Sequence, residues 1–411
     1  MTDNIPQGWR KVTLGDVVLF NPNEKLKKGN LAKKVAMENI QPYTREIKNF
    51  KLEEYKGGSK FRNGDTLLAR ITPCLENGKC AFVNILKKDE IAFGSTEYIV
   101  FRELKNTTIS KFIYYLVCSP LIREPAIKSM VGSSGRQRVQ EDVIKNLEIN
   151  LPPLEVQKKI AGVLSCLDDK IELNNKINQN LEQQALGLYN EYILSKNYEQ
   201  KPLGNYCSVK SGFAFKSSWW TDKGTKVIKI KNIENDKLNI QECSFVSADK
   251  IHKASEFVVK GGDVLIAMTG ATIGKFAIVP QTKDTLLVNQ RVGKFFIGNN
   301  PIEKLPFLYC TLKQNKISSE IINRGQGSAQ PNISGTDIMS IECVFPPENQ
   351  ICKFNEICSP LFMKIISNME QNERLAEIRD ALLPKLMSGE LPVDNVNVVN
   401  VIARNDMTKQ S

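Results

Sequence analysis

LEVQKKIAGVLSCLDDKIELNNKINQNLEQQALGLYNEYIL, residues 154–194, is the stretch whose reading decides the fold. In alternating steps of four and three it presents Ile160, Leu164, Leu167, Ile171, Asn174, Asn178, Leu181, Ala185, Leu188 and Tyr192. That is an a/d seam held for more than four heptads, with neither Pro nor Gly on it. A helix of about 40 residues is roughly 60 Å long, a rod that needs a partner rather than the core helix of a compact domain. The partner is legible further on. From Phe354 the same stepping gives Cys358, Leu361, Ile365, Asn368, Asn372, Leu375, Arg379, Leu382 and Leu386. The two seams match at an offset of 194 residues, which sets Asn174 on Asn368 and Asn178 on Asn372. A buried seam asparagine weakens a coiled coil but fixes its register, because it must find a polar partner. Only a central layer faces its own copy when two equal helices pair antiparallel, and these four lie near the middle. They are expected to pair and set the register. Arg379 departs from the seam and predicts that it frays or turns outward in its last turns.

A chain of 411 residues has room for two or three domains with real cores. It shows no run of 18 apolar residues, and residues 1–10 lack the apolar centre of a signal peptide, so no membrane association is expected. The ten cysteines form no C-x-x-C pair and read as reduced thiols of a cytoplasmic protein. His252 is the single histidine, which excludes His-rich metal sites and histidine-dependent nuclease centres. The net charge of +11 is unevenly spread. Residues 9–153 carry 25 basic and 16 acidic side chains, residues 197–347 carry 19 and 13, and the two rods are slightly acidic. Positive charge on two lobes and none on the frame is the footprint of two nucleic-acid-contacting modules.

The lobes repeat one another as the rods do. Asn63-Gly64-Asp65-Thr66-Leu67-Leu68 returns as Gly261-Gly262-Asp263-Val264-Leu265-Ile266, Phe112-Ile113-Tyr114 as Phe307-Leu308-Tyr309, and Leu151-Pro152-Pro153 as Phe345-Pro346-Pro347. The chain is thus a duplication, ordered lobe (1–153), long helix (154–196), lobe (197–347), long helix (348–391), then a loosely ordered tail (392–411). Each lobe is mixed. A Gly-Asp turn leads to a strand (66–71, 264–268), a loop and a second strand (80–83, 276–279), then a helix near 109–118 or 305–314. A polar Gly/Ser loop (132–140, 325–334) and a last strand lead to the Pro-Pro, which starts the long helix. The fold class is α+β.

Three motifs have a catalytic look, and each lacks a residue or a context that the chemistry needs. Gly270-Ala271-Thr272-Ile273-Gly274-Lys275-Phe276 has one residue too few for a phosphate loop and precedes a strand rather than a helix. Asn21-Pro22-Asn23 has the look of a methyltransferase fragment, but no Gly-rich cofactor loop accompanies it. Asp65, Glu76 and Lys79 could sketch a nuclease centre, but the second lobe lacks an equivalent glutamate. No metal and no cofactor is therefore expected. The nucleic-acid candidates are sharper. Arg136-Gln137-Arg138 in the first polar loop has the side chains that read guanine and adenine in a major groove, and the second loop offers Gln330 and Asn332. Arg70 and Thr72 after the first strand, Thr269 and Thr272 in the second lobe, and Gln290, Arg291 and Lys294 complete the set. A solvated loop or a turn is the competing reading for each. Trp219-Trp220 could stack on bases, but core packing is the plainer use.

Taken in order, these residues resemble the specificity subunit of type I restriction-modification enzymes over residues 6–391. The marks are Gly8-Trp9-Arg10-Lys11-Val12-Thr13-Leu14-Gly15-Asp16, the run from Gly262-Asp263 to Gly274-Lys275, Asn289-Gln290, Gln330-Pro331-Asn332-Ile333, the Pro-Pro-x-x-x-Gln of 152–157 and Leu383-Pro384-Lys385-Leu386-Met387-Ser388-Gly389-Glu390-Leu391. The resemblance implies two pseudo-twofold-related target-recognition domains, each reading one half of a bipartite site in double-stranded DNA, and an antiparallel coiled coil that sets the spacing. It implies also a chain that is not itself catalytic and works with two adenine-methyltransferase modification subunits and with restriction/translocase subunits. The first lobe departs from the pattern. Arg70-Ile71-Thr72-Pro73-Cys74 replaces a Gly-rich turn, and residues 135–139 lack the Gln-Pro-Asn of the second lobe. A coiled-coil scaffold without specific DNA binding is the alternative.

Overall fold

A computed structural model describes residues 5–234, 237–326 and 331–397. Its two long helices are Leu154–Tyr189, 36 residues, and Glu348–Ser388, 41 residues, each beginning directly after a Pro-Pro. The described chain divides into two compact units, one drawn from Met1–Glu172 and Arg374–Ser411, the other Leu173–Glu373. The cuts fall inside both long helices. Each unit therefore holds one lobe together with a segment of each helix.

In the first unit the sheet order is Val18–Phe20, Tyr98–Glu103, Thr66–Ala69, Cys80–Phe82, antiparallel throughout. The second unit repeats it as Ser208–Ser211, Val292–Phe296, Val264–Ala267, Phe276–Ile278. A second sheet follows in each, built around a parallel pair: Leu31–Val35 with Ala92–Gly94, and Thr225–Ile228 with Leu286–Val288. Among the described residues the second unit has one more strand there, Trp220–Thr221. A two-stranded ribbon, Arg10–Thr13 with Glu148–Leu151 or Gln200–Pro202 with Glu342–Val344, leads into each long helix.

The Gly-Asp turn shows why this sequence recurs. Gly64 and Gly262 both sit at φ +91°, a conformation other residues rarely adopt. The aspartate that follows folds its carboxylate back onto the turn, accepting from the Arg62 N–H at 2.8 Å in one unit and from Lys260 at 3.0 Å in the other. Each buried carboxylate is then met by a cation from the neighbouring strand, Asp65 by Arg102 (2.6 and 2.7 Å) and Asp263 by Lys294 (3.0 Å). Without such a partner a buried charge costs several kcal/mol, on the order of 3–5.

Each lobe is fastened to its long helix by the same device. The side-chain oxygen of Gln157 accepts the Ile109 N–H (3.1 Å) beside the helix Ser110–Cys118, and that of Asn355 accepts the Phe307 N–H (2.9 Å) in Leu305–Leu312. Helix starts leave N–H groups that need such acceptors. Apolar packing does the rest. Phe112, Tyr115, Ile160, Leu164 and Leu386 share one core, and Tyr189, Phe307, Phe354 and Phe362 the other. Burying one such ring contributes about 1.5–3 kcal/mol.

Two expectations about the helices are corrected. Arg379 does not mark a fraying end: its side chain is 11 % exposed and donates to Asp168 at 2.7 Å, while Leu383, Leu386 and Met387 beyond it are buried. A buried carboxylate across the seam makes an arginine the right residue there. At the far end of the first helix, Tyr189 and Ile193 are fully buried, while Leu188 and Tyr192 are half-buried at the edge of the same core. A π-helical turn, Asn190–Leu194, follows Tyr189, whose ring packs on Phe307 and Phe354 and whose hydroxyl pairs with Thr311 at 2.9 Å. Here the helix faces the lobe's core as well as its partner helix, to which Phe354 belongs.

The four seam asparagines all find partners within the second unit. Asn174 donates to Asn372 (2.9 Å) and Gln371 (2.7 Å), Asn368 donates to Asn178 (2.7 Å), and Asn372 donates to Asn175 (3.1 Å). One number rises as the other falls, so the helices run antiparallel. Of the tail, Val393 is buried and Asp394 pairs with Lys159 at 2.6 Å, while residues 398–411 lie outside the described residues.

Candidate nucleic-acid interface

The strand Thr66–Ala69 ends where Ala69 pairs with Tyr98, and Val264–Ala267 ends where Ala267 pairs with Val292. Past those points the two units make the same main-chain ladder from unrelated residues. In the first, Thr72 N–H donates to Gln137 O (3.0 Å), Val139 N–H to Arg70 O (2.9 Å), and Ile71 bridges Arg138. In the second, Gly270 N–H donates to Pro331 O (2.9 Å), Ile333 N–H to Met268 O (3.0 Å), and Thr269 bridges Asn332. Residues 70–72 with 137–139 are thus the structural equivalents of 268–270 with 331–333.

That ladder gathers most of the sequence candidates into one patch per lobe. In the first, Arg70, Thr72, Arg136, Gln137 and Arg138 lie together, with Thr72 Oγ1 donating to Gln137 O at 3.1 Å. In the second, Thr269, Thr272 and Asn332 adjoin Gln290 and Arg291, because Met268 N–H donates to Arg291 O at 3.0 Å. The hydroxyl oxygens of Thr269 and Thr272 are buried with no hydrogen-bond partner among the described residues. Gln330 lies outside the described residues. Lys294 stands apart from the patch. It is 8 % exposed, tied to Asp263 and to Val258 O at 2.9 Å, and its charge is spent inside the lobe.

The electrostatics of the two patches differ. Arg138 makes a two-pronged contact with Glu97 at 2.7–3.0 Å, and Arg70 reaches both Glu97 (3.3 Å) and Glu141 (2.8 Å). The Arg138 guanidinium, seconded by Arg70, holds the Glu97 carboxyl below the usual carboxylate range. Arg136 is exposed and meets no carboxylate among the described residues. Glu97 and Arg291 occupy equivalent positions, since each is the residue before its strand and offers its carbonyl to the same ladder strand. A carboxylate stands in the first lobe where an exposed arginine stands in the second. Beside Arg70 opens a cleft of about 440 Å³, lined among others by Asn21, Asn23, Lys60, Thr96 and Glu141.

Glu97 and Glu141, which accepts from the Asn21 amide at 2.9 Å, carry no signal in the sequence, and Asn21 stands out there only in Asn21-Pro22-Asn23. The hydrogen-bond partners of these carboxylates lie 27 to 120 positions away, so no local spacing announces them. Trp219 and Trp220 are half-buried and packed with Phe213 and Phe215 at the edge of a small core, as the plainer reading had it. Gly270–Thr272 forms a short 3-10 turn ahead of the strand Phe276–Ile278, the wrong context for a phosphate loop.

A family model described as type I restriction modification DNA specificity domain matches residues 6–183 and again residues 195–377. Among curated relatives, the specificity subunit of the type I restriction enzyme MjaVIII of Methanocaldococcus jannaschii is 26% identical over 303 residues, covering 69% of this chain and 71% of that protein. The MjaIX specificity subunit of the same organism is 28% identical over 316 residues, 71% of each. The solved structure of a type I restriction-modification system S subunit from M. genitalium is similar in fold, with a TM-score of 0.51 and 19% identity over 94% of this chain and 97% of that one.

Proposed function

The chain belongs to the type I restriction modification DNA specificity domain family, carrying two copies of that domain, and from this premise we propose that each lobe reads one half of a bipartite site in double-stranded DNA. Its role is that of the DNA specificity subunit of a type I restriction-modification system. The observation that carries the two-reader proposal is the repeated main-chain ladder, which presents different side chains from one scaffold. Loops that vary on a fixed frame are how recognition surfaces are built.

On this reading residues 1–153 and 197–347 are the recognition domains. Arg70, Thr72, Arg136, Gln137 and Arg138 serve one half-site. Thr269, Thr272, Gln290, Arg291, Gln330 and Asn332 serve the other, and Lys294 supports its sheet from within. The paired helices, with Asn174, Asn178, Asn368 and Asn372 holding their register, fix the number of base pairs between the halves. The chain does no chemistry itself. Methyl transfer to adenine and ATP-driven restriction belong to its partners, two modification subunits and the restriction subunits, in the cytoplasm. The scaffold alternative is not favoured, because the family match runs through both lobes and not the helices alone.

Methylome sequencing of a host given this chain and its modification subunit tests the proposal. A new methylated motif in two parts with a fixed gap is expected. A contiguous motif, or no new methylation from an assembled complex, would overturn it.

A further inference from the structure

In the second lobe, the segment after the strand Ser208–Ser211 gathers four aromatic rings at the rim of a small core. Phe213 stacks on Trp219 with centroids 5.9 Å apart and planes at 12°, and Phe215 meets Phe213 at 5.1 Å and Trp220 at 5.7 Å. Lysines from three separate stretches stand over these rings. The Nζ atoms of Lys216, Lys250 and Lys253 lie 5.9, 5.9 and 5.2 Å from the Trp219 centroid, and that of Lys229 lies 3.6 Å from Trp220's. Lys250 is answered by Asp249. Lys216, Lys229 and Lys253 meet aromatic faces and no carboxylate among the described residues. Burial, and then Lys231, lower the proton affinity of Lys229.

Cations grouped this way repel one another, and ring faces screen that repulsion weakly. An anion spanning the group removes it. The rings themselves are not vacant for a base, since Phe213 lies flat on Trp219 and Lys229 stands over Trp220. What the shelf offers is positive charge held at fixed points.

Its position says which anion. Phe213 N–H donates to Val288 O at 2.8 Å and Gln290 N–H to Phe213 O at 3.0 Å, so the shelf is joined directly to the Asn289-Gln290-Arg291 turn of the candidate interface. Among the described residues the strand Trp220–Thr221 has no counterpart in the first lobe, whose corresponding stretch, residues 21–30, contains no tryptophan. We propose that Lys216, Lys229 and Lys253 form an anchoring site for the phosphodiester backbone of duplex DNA alongside the half-site read by the second lobe. The proposal rests on the specificity reading above and adds to it a contact that carries no sequence information.

The test uses the full chain with its modification subunits, by fluorescence anisotropy at several salt concentrations, on a duplex carrying the methylated motif and on a scrambled duplex. Phosphate contacts give log K a slope in log salt of about −0.9 each. Lys216→Gln, Lys229→Gln and Lys253→Gln should each make the slope shallower by about 0.9 and weaken both duplexes by the same factor, while Lys→Arg at the same positions keeps the slope. An unchanged slope in the Gln variants, whatever happens to affinity, overturns the site. So does a loss confined to the motif duplex, which would make these lysines readers of bases. Failure of the unmodified complex to prefer the motif at any salt concentration would instead sink the specificity reading, and the anchoring site with it.

Discussion

Asn174 and Asn372 face each other across the two long helices, the amide of the first donating to the side-chain oxygen of the second at 2.9 Å. Asn178 and Asn368 face each other one turn along, the Asn368 amide donating to the Asn178 side-chain oxygen at 2.7 Å. Removing one member strands its partner in a buried layer, so Asn174→Leu should cost about 1–3 kcal/mol of stability. Replacing Asn174, Asn178, Asn368 and Asn372 together by Leu removes the polar layers whole and should raise the melting temperature while loosening register. Calorimetry of the two variants checks both signs. A quadruple variant less stable than the single one would mean these amides hold more than each other.

Asp168 makes the opposite case. It is 3 % exposed, accepts from Tyr115 at 2.6 Å and from Arg379 at 2.7 Å, and so depends on both. Arg379→Leu should destabilise by about 3–5 kcal/mol, because it leaves a carboxylate buried without its cation. Adding Asp168→Leu should restore most of that loss. Urea unfolding of the single and double variants decides, and a double variant as unstable as Arg379→Leu would show that packing, not charge, is what the arginine supplies.

Glu97 ties Arg70 and Arg138 to one strand end, and its folded pKa is lowered from the ordinary 4.5. A lowered carboxylate contributes stability that is whole above its unfolded value and is lost as pH falls through the folded one. The stability gap between the wild type and Glu97→Gln should therefore be constant from neutrality down to about pH 4.5 and shrink below it. Unfolding measured at both ends shows this. A gap that is the same at about pH 3 would mean the two proteins differ by something other than the ion pairs.

Separable reading is the prediction with the widest reach. Arg136→Ala and Arg138→Ala should relax recognition in one half of the methylated motif only, since a lost base contact costs about 1–3 kcal/mol at one position. Asn332→Ala, at the place in its ladder that Arg138 holds in the other, should relax the other half. The gap between halves should not move in either, because the helices are untouched. Motif profiling by methylome sequencing measures all three. A change spread over both halves from one lobe's substitution would defeat the two-reader reading.

The frame was legible and the site only half so, for one physical reason. Seam periodicity, the Pro-Pro starts and the Gly-Asp turns are local, and local spacing fixed Asn174, Asn368, Gly64 and Gly262 in advance. The ladder joining 70–72 to 137–139 and 268–270 to 331–333 is made of main-chain bonds, which leave no mark in residue type. Lys294 looked like a surface cation because only its distant partner Asp263 turns it inward. Arg379 looked like a defect because Asp168 lies 211 positions earlier.

That distance has a consequence for how the protein is made. Asn174 waits for Asn372, which leaves the ribosome 198 residues later. At about 5–20 residues per second the first helix spends roughly 10–40 seconds with its apolar seam uncovered. Lobe fastening does not wait as long, since Gln157 follows Ile109 by only 48 residues. The nascent chain thus has a first lobe able to close early and a seam that stays open, which makes the seam the segment a chaperone would most need to shield during synthesis.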